Sequence, residues 1–200
     1  GNVATQESGG TGGGIHCDQN ANLNFESVTI SNNSASHSGG GLFCMGSATL
    51  NFNNSIISGN SAYIDGGGIQ IRENSTMEIS NSLIANNSAT YDGGGVFCEE
   101  TSSLIQNTTI TSNYAGSLGD GIYIYDGNTN VANSIFWNHP DQSIYISGGQ
   151  NHYFTYSNID NGWGAEYEGN ISLDPLFTDP DNGDYTLQPS SPCIDAGDPA

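Results

Sequence analysis

Between recurrent glycine runs the chain alternates apolar and polar residues with a period of two, as in Ile15-His16-Cys17 and Leu23-Asn24-Phe25. Strands have that period, because successive side chains leave opposite faces of the backbone. No stretch keeps a 3.6-residue period over the length a helix needs. The pattern therefore predicts short strands broken by Gly and Asn.

The strands recur in phase. Gly12-Gly13-Gly14-Ile15, Gly39-Gly40-Gly41-Leu42, Gly66-Gly67-Gly68-Ile69 and Gly93-Gly94-Gly95-Val96 lie 27 residues apart, and Gly119-Asp120-Gly121-Ile122 follows after 26. A second phrase keeps step: Ile30-Ser31-Asn32-Asn33, Ile57-Ser58-Gly59-Asn60, Ile84-Ala85-Asn86-Asn87, Ile110-Thr111-Ser112-Asn113 and Ile135-Phe136-Trp137-Asn138. Two phase-locked motifs at this period predict a solenoid. The expected fold is all-β, a right-handed parallel β-helix of about five to six coils with three strands per turn and an irregular C-terminal segment. Adjacent coils should lie about 4.8 Å apart, the ordinary spacing of hydrogen-bonded strands. The coils are placed at 12–38, 39–65, 66–92, 93–118 and 119–142. Residues 1–11 form a flexible lead-in, 12–150 the coils and 151–200 a C-terminal coil or capping segment.

In this register like residues stack on like. One inward column reads Ile15, Leu42, Ile69, Val96, Ile122 and Ile144, and the next Cys17, Cys44, Ile71, Cys98, Ile124 and Ile146. A further face carries Leu23, Leu50, Met77 and Leu104. Asn33, Asn60, Asn87, Asn113 and Asn138 form an inward column whose amides can donate to one coil, accept from the other and satisfy turn backbone. Asn32, Asn53, Asn74, Asn86, Asn107 and Asn170 each begin an Asn-x-Ser/Thr triplet. Such triplets also arise in any repeat rich in Asn and Ser.

Gly-Gly-x-[Ile/Leu/Val] paired with [Phe/Ile]-x-x-Asn resembles the repeat of bacterial polymorphic outer-membrane proteins and related β-helix surface proteins. The resemblance covers residues 12–146. A third Gly stands where that family favours Ala, and Ile where it favours Phe. Asn170 to Phe177, Asp184 to Leu187 and Ser191 to Asp198 look like the closing segment of many secreted bacterial β-helix proteins. The resemblance implies an exported, cell-surface or extracellular bacterial protein. Adhesion and self-association are common in the first family, and polysaccharide cleavage among β-helices at large.

Charge narrows the function. The chain holds 21 Asp and Glu against one basic side chain, Arg72, for a formal net charge of −20. Binding to nucleic acid or to an anionic membrane needs cationic contacts that are missing here. No run of 18 apolar residues crosses a bilayer as a helix. The chain begins at Gly1 without Met and ends on Asp198-Pro199-Ala200, as expected of a piece of a longer polypeptide.

Candidate chemistry is sparse. A β-helix lyase acting on uronates needs cations that one Arg does not supply, and a hydrolase needs clustered carboxylates, one with a raised pKa. The best in-register acidic pair is Asp65 and Asp92, which can be solvated turn residues, calcium ligands or catalytic groups. His16, His37, His139 and His152 fall at unrelated coil positions and read as surface residues. Cys17 and Cys44 sit one coil apart, within disulfide range, but parallel Cβ vectors favour buried thiols over a bridge. Cys193 has no obvious partner. Asp179, Asp181 and Asp184 surround a turn and are candidate Ca²⁺ ligands; the spacing departs from an EF-hand, with Gly183 at the fifth position and Ser190 at the twelfth. The plainer reading of the same residues, and the one the spacing favours, is an Asp-Asn-Gly turn.

The remaining signal is a stripe of outward positions, His16, Phe43, Gln70, Phe97, Tyr123 and Tyr145. Four aromatics on an outer face call for a cover. Residues 151–200, a sugar or another protein chain can each supply one, so Phe43, Phe97, Tyr123 and Tyr145 are the candidate partner-binding residues. The resulting expectation is a non-enzymatic structural or adhesive solenoid that self-assembles or binds a surface carbohydrate or protein. The alternative is a carbohydrate-active lyase or hydrolase.

Overall fold

The computed structural model describes residues 1–5, 9–149, 151–164 and 166–198. It is a parallel β-helix, with every pairing among the coils parallel and the predicted columns Ile15–Leu42–Ile69–Val96–Ile122–Ile144 and Cys17–Cys44–Ile71–Cys98–Ile124–Ile146 in register. Adjacent coils lie 4.7 Å apart at the Cα atoms of Cys17 and Cys44.

The first four coils carry four strands rather than three, and the last two carry three. In the second coil they are Leu42–Cys44, Thr49–Asn53, Ile56–Ser58 and Ser61–Ala62. Their equivalents stack into four sheets, here called faces one to four. The fourth face consists of two-residue strands built on the word Ser-Ala, with Ala35, Ala62, Ala89 and Ala115 buried. So short an alternation reads as turn when only longer strands are sought. Val3–Ala4 pairs with Ser34–Ala35, so part of the expected lead-in already belongs to the fourth face; Gln6, Glu7 and Ser8 of that lead-in lie outside the described residues. The coils also run past residue 150, through His152–Thr155 and Asn158–Ile159.

The paired asparagines divide two tasks. Asn32 and Asn86 turn the corner with φ of 56°, a role taken by Gly59 (64°) and Ser112 (54°) in other coils. Asn tolerates this left-handed region better than other non-glycine residues. The next residue points inward. Oδ1 of Asn87 accepts from the backbone N–H and from Nδ2 of Asn60, each at 3.0 Å, while its own Nδ2 donates to Ile57 O. The same bonds join Asn33 to Asn60 and Asn87 to Asn113. A Cβ at Gly41 or Gly68 would lie 2.5–2.6 Å from a backbone oxygen of the next coil and about 3 Å from the ladder amide, so the third glycine of each run makes room for the column.

Two columns slip by one residue. Ser103, not Leu104, continues Leu50 and Met77, because the 26-residue coil loses its residue in the turn before this strand; a one-residue slip exchanges the two faces. Leu104 therefore points outward. In the fifth coil Ile110 pairs with Phe136, so Phe136 is inward and Asn138 is an exposed corner with φ 59°. His139 takes the ladder position.

Cys17 and Cys44 are joined by a disulfide, against the expectation of free thiols. Cys98 remains a free, buried thiol, its pKa pushed up to about 11 by burial. Opening the bridge frees a 27-residue loop in the unfolded chain. Reduction should cost about 3.5 kcal/mol on loop entropy. A Cys17→Ser, Cys44→Ser variant should melt lower by that amount and become insensitive to reductant in calorimetry.

Candidate functional site

The aromatic stripe lies on the outer side of face one, but it is not uniformly open. Phe43 and Phe97 are 4% and 8% exposed, and Gln70 between them 2%. The cover is local: a Cβ at Gly39, Gly66 or Gly93 would come within 2.7–2.8 Å of the Cβ of Phe43, Gln70 or Phe97, so each glycine turn lies against the outward side chain that follows it. The stripe splits into two stacks. His16 lies 5.2 Å from Phe43, and Phe97, Tyr123 and Tyr145 stack with centroids 5.0 and 5.1 Å apart. Tyr123 and Tyr145 are half-buried and remain accessible.

The C-terminal segment packs elsewhere. Trp163 and Tyr167 pack against the core at Phe154, at the last coil. The antiparallel hairpin of Phe177–Asp179 and Asp184–Leu187 then returns along face three, where Tyr185 accepts from Asn86 and Asp198 donates to Asn133. These contacts place the tail on face three, not on the aromatic stripe of face one.

Asp65 and Asp92 are half-buried and form a second ladder. Asp65 Oδ1 accepts the backbone N–H of Asp92, and Asp92 Oδ1 that of Leu118, each at 3.1 Å. Burial raises the Asp65 pKa, the hydrogen bond from Asp92 opposes that, and the Asp92 charge raises it further. Arg72 pairs with Glu99.

In the tail loop Asp179 accepts from Asn182, and Asp184 from the backbone and hydroxyl of Thr186. Asp179 and Asp184 face each other across the hairpin, with Asp181 on the turn. Among the described residues no group of three or more His, Cys, Asp or Glu side chains is placed to hold a metal ion.

The largest departure from the sequence reading is His139, expected at the surface and found 7% exposed. Its ring stands against Gly121 as the ladder amides stand against the earlier glycines. Nδ1 lies 2.7 Å from Ser143 Oγ, Ser143 donates to Asp160 Oδ1, and Asp160 Oδ2 accepts the His139 backbone N–H. Ser143 and Asp160 are equally buried. In an acyl-transfer triad the imidazole stands between serine and carboxylate. Here the serine stands between the other two, its proton committed to Asp160, and the three groups end the asparagine ladder. Burial pushes the Asp160 carboxyl up, but hydrogen bonds from His139 and Ser143 outweigh it and hold the pKa below the ordinary aspartate value. A depressed folded-state pKa stabilises the fold above the unfolded pKa, and that contribution disappears as pH falls through the folded value. Wild type should therefore lose more stability than Asp160→Asn between about pH 4 and pH 2, read as the difference between their melting-temperature profiles.

The sequence reading also missed three exposed aromatics, Tyr114 on face four and Tyr63 and Tyr91 beside it, which are 50%, 63% and 50% exposed. Extending the alternation through Ser61-Ala62-Tyr63 was the signal that could have found Tyr63.

No curated protein and no solved structure is significantly similar to the chain. Residues 5–160 match the family model described as a right handed beta helix region, and with the stacked parallel coils above, the chain belongs to the right-handed β-helix family.

Proposed function

We propose that this solenoid is an exported, non-catalytic surface protein that associates through its lateral faces, with copies of itself or with a foreign surface. The observation that carries the reading is the stack Phe97–Tyr123–Tyr145, whose buried Phe97 anchors two accessible phenols in fixed register on face one. Rigid aromatics lose little side-chain entropy on contact, which suits them to interfaces. The resemblance of the repeat to polymorphic outer-membrane proteins supports a bacterial cell-surface or extracellular location. The ladder bonds of Asp65 and Asp92 and the pairing of Arg72 with Glu99 support a non-catalytic role, since they engage the groups a lyase or hydrolase would use.

A net charge of −20 opposes association, so salt or Ca²⁺ is expected to promote it, with Asp179, Asp181 and Asp184 the candidate ligands. Light scattering and electron microscopy should show wild type assembling as ionic strength or Ca²⁺ rises. Tyr123→Ser, Tyr145→Ser should stay monomeric with its melting temperature little changed. A wild type that neither assembles nor adheres under any of these conditions defeats the proposal. One observation favours the enzymatic alternative: the raised pKa of Asp65 beside Asp92. Turnover of a polysaccharide that is lost in Asp65→Asn would decide for it.

A further inference from the structure

On face four the outward column runs Ser34, Ser61, Ser88, Tyr114, one residue per coil. Beside it Tyr63 stands in the next outward column. Together they form a shallow trough of about 540 Å³, with Ser34, Ser61 and Ser88 on its floor, Thr90 beside them, and the rings of Tyr63 and Tyr114 at its sides. Ser61 Oγ donates to Ser34 Oγ at 3.1 Å, which orders this pair of hydroxyls. Ala35, Ala62 and Ala89, the neighbours of these serines in the same strands, are buried on the inner side.

We propose that this trough binds a neutral, extended polysaccharide laid along the solenoid axis. The inference rests on the surface-binding reading above and gives it a ligand. Three features select that chemistry. First, none of the residues lining the trough carries a formal charge, although the whole chain stands at −20. The long-range field repels polyanions, and a cationic ligand would find no carboxylate in the trough itself. Second, the strands Ser34–Ala35, Ser61–Ala62 and Ser88–Ala89 are each paired on both sides, so their backbone is spent. A peptide cannot add here as another strand, and recognition falls to side chains alone. Third, the hydroxyls repeat once per coil, at a spacing of about 4.8 Å that is close to the length of one extended pyranose unit. Over the three serines the mismatch in spacing stays small, and because alternate units of an extended β-linked chain are turned over, every second hydroxyl meets the same sugar edge. The phenol rings, two coils apart and both exposed, offer faces for the sugars' C–H groups. A coiled α-linked glucan would leave the straight row after a unit or two, so the ligand is a β-linked, extended chain.

Titration calorimetry of the whole chain with cellohexaose, chitohexaose, maltohexaose and hexagalacturonate tests this. Either of the two extended neutral sugars should bind, maltohexaose about tenfold or more weaker, and the anionic hexamer not at all. Tyr63→Ser, Tyr114→Ser should lose about tenfold or more in affinity, on the scale of two lost ring contacts, with an unchanged circular dichroism spectrum and melting temperature. Failure of both extended neutral sugars to bind overturns the inference, as does affinity unchanged in the double variant or equal affinity for hexagalacturonate. The surface-binding reading is scored separately. A chain that assembles through Tyr123 and Tyr145 yet ignores every sugar sinks the trough alone, and one that binds sugar through Tyr63 and Tyr114 but never assembles leaves the trough standing without self-association.

Discussion

Ile69→Asp is expected to leave no measurable folded population. Ile69 is fully buried, between Leu42 of the coil below and Val96 of the coil above, in an aliphatic column with no polar partner. A carboxylate placed there is either ionised and unpaired or forced to take up a proton, and either way the cost is several kcal/mol beyond the lost packing. A domain of this size has about 5–15 kcal/mol to lose. Because each coil rests only on its neighbours, disrupting a central coil removes contacts on both sides. Ile69→Val, which removes one methylene, should cost only about 1 kcal/mol. Circular dichroism and thermal melts distinguish the two. A cooperative, near-wild-type melt for Ile69→Asp would mean that Ile69 does not lie in a buried aliphatic column.

The second large effect separates two neighbouring residues of one repeat word. Asn87→Ala removes a side chain that serves four buried groups: the backbone N–H and Nδ2 of Asn60, the carbonyl of Ile57 and Oδ1 of Asn113. Each orphaned group costs about 1–3 kcal/mol, so a loss of about 3 kcal/mol or more is expected. Asn86 is exposed and turns the corner, with one hydrogen bond to Tyr185. Asn86→Gly keeps the left-handed conformation available, as Gly59 does naturally at the same place one coil below, and should stay within about 0.5 kcal/mol of wild type. Urea melts of the two variants give both numbers. Equal losses would remove the division of labour between corner and ladder.

His139 marks where repetition stops. The ladder amides each donate and accept in the same sense, so the column can continue through any number of coils. At the fifth coil imidazole, hydroxyl and carboxylate take over, and Asp160 receives the His139 backbone N–H that an asparagine would otherwise have received. Beyond this point Trp163 and Tyr167 pack against Phe154 and cover the apolar end. The apolar core is therefore covered at its C-terminal end, while Ile144–Ser147 and His152–Thr155 each have a strand partner on one side only.

What the sequence determined by itself is the part of the molecule governed by period. Repetition of the glycine and asparagine phrases made the solenoid and two inward columns readable, because a stacked coil forces equivalent residues to share one environment. Where the period changed by one residue, the reading slipped with it: Leu104 and Asn138 were placed inward, whereas Ser103 and His139 occupy those positions. A deletion can be absorbed at any of several corners, and only the backbone path selects one. The tertiary structure also decided what lies beyond alternation. Phe43 and Phe97 point outward as expected, yet they are buried because the glycine turns fold against them. His139 and Ser143 share one loop, Asp160 follows the next coil's Asn158–Ile159, and the three carry no joint signal; they meet because these two connections reach the same corner. The Ser-Ala strands of the fourth face are too short to register as alternation, so the row of hydroxyls and the rings of Tyr63 and Tyr114 come together only once the coils are stacked.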